Sequence, residues 1–270
     1  MTGYLFADSV EPSSGFEVVA ARRPLLYEAA CLAVGVNPFV RTERDCRFMQ
    51  PALVALLLAC WADTDDGLRS TLLVGEGAGE IAALAAGGAI SCNDAIWLAA
   101  VRGRLMSGVA LASRLASLAL REVTFRTARQ VARSHDLSIV RDCAPEEVVL
   151  TGRRELIDAA ERTASKLDVE AVRPPPQRVF PAADFASARR EWRAALDTVE
   201  LHLLRRPVLS CTSVASVRNP RRSLSEGLTS AIRMRQSRVV LRRIGVNRLE
   251  VIADRTGWSM TAKKRSGREP

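Results

Sequence analysis

Histidine, aromatic residues and closely paired cysteines are scarce in this chain. It has 2 histidines in 270 residues, its aromatic fraction is 5%, and none of its 6 cysteines forms a CxxC pair. Zinc sites are built mostly from closely spaced cysteines and histidines, so we expect no metal site and six reduced thiols. With so few aromatic rings, the core must be built from alanine, leucine and valine.

Long apolar runs and targeting signals are also missing. No charge-free apolar run reaches about 18 residues, the length that indicates a membrane-spanning helix. The first 16 residues show no basic segment followed by an apolar one, so we expect no secretory signal. These absences predict a cytoplasmic protein that does not cross a membrane.

Acidic residues are few in the last quarter of the chain. The formal net charge is +9, but residues 201–270 contain 16 Lys and Arg against 4 Asp and Glu, and the first 200 residues are slightly acidic. A basic surface attracts nucleic acid, acidic lipid or an acidic protein. Because no zinc-finger, homeodomain or RNA-recognition pattern accompanies the charge, nucleic acid is not the expected partner.

The order of apolar patterns predicts two α/β units. The first half contains a buried strand at the start, helices, and a short strand leading through glycines into an alanine-rich helix (17–36, 50–62, 71–74, 79–87 and 94–106). A second set then follows in the order β-α-β-β-α-β, which is typical of a ferredoxin-like unit (122–126, 127–135, 137–142, 146–152, 154–168 and 169–173). Three consecutive prolines follow it, and further helices and strands complete the chain (near 184–198, 207–211, 223–236 and 248–253).

These elements predict an α/β fold in which a small domain interrupts a larger one. We assign residues 1–120 and 177–258 to a large, α/β-hydrolase-like domain. Residues 121–176 form the inserted ferredoxin-like βαββαβ domain. The last segment, 259–270, carries charge without an apolar pattern, and we expect a disordered basic tail.

The glycine turn after the strand at 71–74 has the spacing of a nucleophile elbow. In a G-x-S-x-G elbow a strand passes directly into a helix, and the serine at the tip stands above the helix N-terminus in a strained backbone conformation. Residues 75–79 read Gly-Glu-Gly-Ala-Gly, so the tip is Gly77. The glycines of the turn are present and the nucleophile is not.

The residues around this turn resemble those of malonyl-CoA:acyl-carrier-protein transacylases and of polyketide synthase acyltransferase domains. Residues 75–80 (GEGAGE) align with that family's G-H-S-x-G-E, and residues 79–106 follow its next two helices without a gap. Shorter similar blocks occur at 50–53 (QPAL) and 148–152 (VVLTG). The resemblance implies the acyltransferase fold, with its inserted ferredoxin-like domain.

The resemblance also shows which chemical positions have changed. The family's serine falls on Gly77 and the histidine beside it on Glu76. The catalytic histidine falls on Ala183. The glutamine of the N-terminal oxyanion loop is missing, with Ser9 nearest to its place. We therefore expect no intact catalytic residue, and a degenerate elbow at Gly75, Gly77, Ala78 and Gly79.

One functional position of the family persists. The arginine that binds the malonyl carboxylate corresponds to Arg102, which is able to form a bidentate pair with an acyl carboxylate. A purely structural role for a buried arginine is the competing interpretation. If ligand binding survives, the resemblance implies malonyl-CoA or an acyl-phosphopantetheine as the ligand. The expected ligand-binding residues are then Arg102, Gly75, Ala78, Gly79 and Ser9. No cofactor is expected.

These features predict a pseudo-acyltransferase of polyketide or fatty-acid biosynthesis. It would bind or scaffold an acidic acyl-carrier protein or a ketosynthase or other synthase component. Two alternatives stay open. One is a transferase or thioester hydrolase that uses carboxylates, with Glu76, Glu80 and Asp184 as candidates. The other is an ordinary transacylase whose serine comes from elsewhere, such as Ser9 or Ser91. The sequence does not indicate an oligomeric state.

Overall fold

The computed structural model describes residues 1–8, 16–40, 45–64, 71–174 and 183–252 as two β-sheets with helices packed on them. The strands are β1 Thr2–Phe6, β2 Leu72–Gly75, β3 Leu115–Arg121, β4 Ser138–Asp142, β5 Glu147–Arg153, β6 Glu170–Val172, β7 Val208–Ser210, β8 Ala215–Ser216 and β9 Arg248–Val251. The helices are α1 Phe16–Arg22, α2 Pro24–Val34, α3 Cys46–Thr64, α4 Ala78–Ala86, α5 Cys92–Ala112, α6 Phe125–Ser134, α7 Arg154–Lys166, α8 Arg189–Asp197, α9 Pro220–Gly227 and α10 Met234–Arg243. The predicted tail, 259–270, lies outside the described residues.

The first sheet brings the ends of β1 and β2 together. Its strand order is β8-β7-β2-β1-β9, and β7, β2, β1 and β9 run parallel. Phe6 at the end of β1 lies opposite Gly75 at the end of β2. Ligand sites of parallel sheets lie at the carboxyl ends of the strands, so the segments after Phe6 and Gly75 form the expected site.

The core beside this sheet is aliphatic and rests on two long helices. In α3 a run from Gln50 to Trp61 is buried, and α5 packs against it. Both helices are long and apolar enough to cross a membrane by length and composition alone, but more than half of each is buried within the protein. Core helices of globular proteins have the same character, so this is weak support for a membrane span.

The second sheet has the predicted ferredoxin-like arrangement. Its strand order is β4-β5-β3-β6, every pairing is antiparallel, and α6 and α7 complete the order β-α-β-β-α-β. The strand predicted at 122–126 is wrong. The first strand is Leu115–Arg121, Glu122 has a φ of 47°, and the side chain of Thr124 caps α6. The division into domains at 121 and 176 stays a prediction.

Two predicted helices are interrupted in the structure. The helix predicted at 17–36 is α1 and α2, because proline at position 24 disfavours a helical conformation at Arg23, whose φ is −139°. The helix predicted near 223–236 is instead α9 and α10, separated by residues 228–233. Pro51 lies inside α3 and not in its first turn.

The second sheet is joined to the rest of the chain through β4. Arg141 forms a β-bridge with Ile232, and backbone hydrogen bonds of 2.9 Å flank this bridge. Arg235 of α10 binds the buried Asp142 at 2.9 Å. These contacts hold β4 close to the turn that follows β2.

Candidate functional site at the nucleophile elbow

The turn between β2 and α4 keeps the geometry of a nucleophile elbow. Gly77 is at its tip, with φ 56° and ψ −122°, a conformation that glycine adopts with much less strain than other residues. A side chain at Gly79 would overlap the carbonyl of Phe6, so α4 begins in direct contact with the end of β1. The predicted elbow is therefore present as backbone, with a glycine where the nucleophile would stand.

An aspartate that the sequence analysis missed occupies the space above this turn. The backbone N–H of Ala78 donates to Oδ1 of Asp8 at 2.5 Å. A Cβ built on Gly77 would overlap the same carboxylate. In elbow enzymes the N–H after the nucleophile stabilises the oxyanion of the reaction. Asp8 thus places a carboxylate oxygen on the donor that would otherwise receive a developing oxyanion.

Glu76, the candidate for a carboxylate base, is buried in an ion pair. One of its oxygens accepts from Nε of Arg141 at 2.7 Å, and Nη1 of Arg141 binds Glu147 at 2.8 Å. Burial alone would lower the pKa of Arg141, but Glu76, Cys143 and Glu147 together raise it, so the guanidinium stays charged. Glu76 therefore ties the elbow to β4, and its carboxylate is not available as a base while this pair holds.

Glu80, in the first turn of α4, is also fully enclosed. Its two oxygens accept from the hydroxyl groups of Ser210 at 2.6 Å and Ser223 at 2.5 Å. Burial raises the pKa of Glu80, although these hydrogen bonds and the nearby Arg102 oppose the rise. Ser210 has no solvent-exposed surface. The cluster links α4 to β7 and α9 from inside the protein.

Arg102 is buried in the interior, and its guanidinium is only partly hydrogen-bonded. Nη1 donates to Oε1 of Gln50 at 2.8 Å. Nη2 is buried and has no hydrogen-bond partner among the residues described by the structure. Burial lowers the pKa of Arg102, while the carboxylates of Asp8 and Glu80 and the thiol of Cys46 oppose this effect. The arginine is thus close to Asp8 and keeps one N–H group unused.

Neither histidine lies at the elbow. His135 caps α6 and forms a hydrogen bond of 2.8 Å with Thr163. His202 is exposed near Glu200. The predicted base position, Ala183, begins a short 3-10 turn that ends at Ala188. The described side-chain contacts of the two histidines are thus with Thr163 and Glu200, and not with the residues of the elbow.

Of the two alternative nucleophiles, Ser91 is held at a helix start and is not placed at the elbow. Ser91 is the N-cap of α5, accepting from the N–H of Asp94 at 3.0 Å on the surface. Ser9 lies outside the described residues. Cys143 lies close to the Glu76–Arg141 pair, and burial raises the pKa of its thiol to about 12. A thiol with that pKa holds almost no thiolate at neutral pH.

Comparison with known proteins identifies the class that this fold and turn define. The family model of the acyl transferase domain matches residues 10–246. A malonyl-CoA:acyl-carrier-protein transacylase of Coxiella burnetii superposes with a TM-score of 0.82 at 16% identity, covering 95% of this chain and 89% of that one. A malonyl-transacylase in complex with a type II polyketide synthase acyl-carrier protein gives 0.80 at 20% identity, over 95% and 91%. These likenesses confirm the predicted acyltransferase fold.

The chain belongs to the acyl transferase domain family. Among curated proteins, a non-reducing polyketide synthase of Gibberella zeae is 27% identical over 206 residues, covering 72% of this chain. A spectinabilin polyketide synthase protein of Streptomyces orinoci is 27% identical over 219 residues, covering 78%. The chain spans 10% or less of the length of these relatives. It therefore corresponds to one domain of much longer proteins.

Proposed function

We propose that this protein is a pseudo-acyltransferase of polyketide or fatty-acid biosynthesis that binds an acyl-carrier protein or a synthase component and does not transfer acyl groups. One observation carries the proposal: the residue at the tip of the elbow is Gly77, which has no side chain, and the carboxylate of Asp8 lies over it on the N–H of Ala78. An acyl oxyanion would have to displace a charge of the same sign.

The missing groups act as a unit in acyl transfer. When either the nucleophile or its base is absent, the rate of acyl transfer falls by several orders of magnitude. Glycine at position 77 cannot form an ester and alanine at 183 cannot move a proton. Two observations support a maintained binding role: the elbow backbone is intact, and both buried carboxylates that flank it have partners.

The proposed partner is an acidic carrier protein. Family relatives are polyketide synthases, and one structural neighbour is bound to an acyl-carrier protein. Part of the basic charge of residues 201–252 is compensated inside the chain, for example by the pairs Arg235–Asp142 and Arg238–Glu146. We therefore include the exposed face of α6, whose arginines have no ion-pair partner among the described residues (Arg126, Arg129 and Arg133).

Titration with a fluorescent holo-acyl-carrier protein tests this function. We expect saturable binding that weakens as salt rises, because screening suppresses the attraction between exposed charges. Replacing the three α6 arginines by glutamine is expected to weaken binding at least tenfold. The matched control removes the same charge from three other exposed positions, Arg162, Lys166 and Arg190. Absence of binding at low salt would refute the partner assignment.

The second candidate function is carboxylate-based thioester chemistry. The raised pKa of Glu80, beside two serine hydroxyl groups, is the observation that favours it. Its burial argues against access by a substrate. An assay of purified protein with malonyl-CoA and acyl-CoA thioesters separates the two functions: turnover above the uncatalysed rate that Glu80→Gln abolishes would replace the pseudoenzyme proposal.

A further inference from the structure

A groove away from the elbow lies where two helices approach one another. It is formed by the second half of α5, the start of α3 and the first residues of β3 and α7, and its volume is about 520 Å³. Ligand-sized pockets typically span about 300–1,000 Å³. None of its lining residues belongs to the elbow, and neither Asp8 nor Arg102 lines it.

The floor of the groove is apolar. Leu111 has 83% of its surface exposed, and Leu115 and Ala110 lie beside it. Gly108 faces the same space, and a Cβ built on it would meet no atom within 4 Å. Contact between Leu111 and an apolar ligand would be favourable, because it would remove the exposed leucine surface from water.

The walls of the groove carry an excess of positive charge. The acidic residue in the groove lining is Asp45, whose Oδ2 forms an ion pair with Nη2 of Arg47 at 2.7 Å. Arg104 is paired with Glu191 at 2.6 Å. The two remaining arginines, Arg114 and Arg154, have no ion-pair partner in the described part of the chain. Two cationic groups thus remain for an anion.

Backbone geometry adds to this charge. Arg154 is the first residue of α7, and the N-cap residue, Arg153, makes no side-chain hydrogen bond to the helix. The first-turn N–H groups of α7 therefore lack a side-chain cap, and the positive end of the helix dipole lies at the groove. Arg114 has a φ of 50° in the turn that follows α5, a conformation more typical of glycine.

We propose that this groove binds an amphipathic anion: a carboxylate or phosphate held by Arg114 and Arg154, with an apolar chain lying on Leu111 and Leu115. Guanidinium groups favour these anions because their N–H groups match the paired oxygens. The apolar floor distinguishes this site from one for inorganic phosphate, and the two arginines distinguish it from one for a neutral lipid.

Isothermal titration of the full chain with decyl phosphate and decanoate tests the proposal, with decanol and inorganic phosphate as the neutral and headgroup-only arms. We expect one site for at least one of the two amphipathic anions, with a Kd below about 1 mM. Both control arms should bind at least tenfold more weakly. Stronger binding of decyl phosphate would assign a phosphate headgroup, and stronger binding of decanoate a carboxylate.

Two variants separate the headgroup from the apolar floor. Arg114→Gly with Arg154→Gln removes both cations, and glycine tolerates the φ of 50°. Gly108→Leu fills the groove without removing a charge, and leucine favours the helix more than glycine does. Each variant should weaken binding at least tenfold with no fall in Tm. The control Arg162→Gln, which removes an exposed charge further along α7 and outside the groove, should leave binding unchanged.

Three results would overturn the proposal. One is the absence of saturable binding by both anions at 1:1 stoichiometry. Another is equal affinity for decanol, which would remove the role of Arg114 and Arg154. The third is unchanged binding by Gly108→Leu, which would locate the ligand elsewhere on the protein.

Discussion

Replacing Gly77 by alanine measures how closely Asp8 covers the elbow. At φ 56° and ψ −122° a side chain costs about 1–3 kcal/mol of backbone strain. The new Cβ also overlaps the Asp8 carboxylate and forces it away from the N–H of Ala78. Losing a hydrogen bond to a charged group costs about 1.5–3 kcal/mol. Gly77→Ala should therefore lower the free energy of unfolding by about 2.5–6 kcal/mol.

A double-mutant cycle isolates the part due to Asp8. In an Asp8→Ala background the overlap is absent, and only the backbone strain of about 1–3 kcal/mol remains. The two changes together should therefore cost about 1.5–3 kcal/mol less than the sum of the single changes. Urea denaturation followed by far-ultraviolet circular dichroism, with matched m-values, gives all four free energies.

Gly108→Ala is the matched control for this cycle. Its Cβ enters open space in α5, so it should stabilise the protein by about 0.5–1 kcal/mol. It should also add independently to Asp8→Ala. If Gly77→Ala and Asp8→Ala were additive within about 0.5 kcal/mol, the assignment of Asp8 to the space above Gly77 would be wrong.

Three further predictions concern the buried carboxylates and the proposed absence of acyl transfer. Burial raises the pKa of Glu80, so the wild-type protein should lose stability as pH rises from the usual glutamate range through that raised pKa. Glu80→Gln should remove this loss of stability, which is measured as the urea midpoint from pH 4 to 8. Glu76→Ala removes the buried partner of Arg141 and should lower the free energy of unfolding by about 3 kcal/mol in urea titrations. An unchanged free energy of unfolding would show that Glu76 is not paired with Arg141. Adding Asp8→Gln to Gly77→Ser with Ala183→His should raise self-acylation by malonyl-CoA, read by intact mass, above that of the double variant; equal values would show that Asp8 does not block the elbow.

Local patterns were sufficient to predict most of the fold. The strand, glycine turn and alanine-rich helix at 71–87 follow from apolar periodicity and from glycines at close contacts. The β-α-β-β-α-β order was predicted correctly, although its first strand lies several residues earlier, at Leu115–Arg121. That error arose because the alternation at 122–126 resembles a strand, whereas Thr124 caps a helix there.

The contacts of the candidate site depend on distant parts of the chain. Glu76 was singled out as a base, yet its partner Arg141 is 65 residues away and reaches it only because β4 lies beside the elbow. Asp8 was passed over in favour of its neighbour Ser9, since the alignment indicated the loop and not which side chain points to Ala78. The Asp8 contact follows from parallel pairing of β1 with β2, and the Arg141 contact from the bridge between β4 and Ile232. Local sequence specifies neither of these long-range pairings.

The binding roles of Arg102 and the cytoplasmic location stay predictions. The hydrogen bond from Arg102 to Gln50 agrees with a structural role. The buried Nη2 of Arg102, which has no hydrogen-bond partner among the described residues, agrees with a carboxylate-binding role. Gln50→Leu would separate them, because it removes the structural bond and leaves the guanidinium in place. Ligand binding that survives this change would support the carboxylate role.

Intact-protein mass spectrometry after incubation with excess malonyl-CoA tests the central claim most directly. An active member of the acyl transferase domain family, treated in parallel, should gain one malonyl group. With Gly77 at the elbow and Asp8 on the N–H of Ala78, this protein should keep its unmodified mass while still binding the carrier protein. A stoichiometric malonyl adduct on the wild-type chain would contradict the claim.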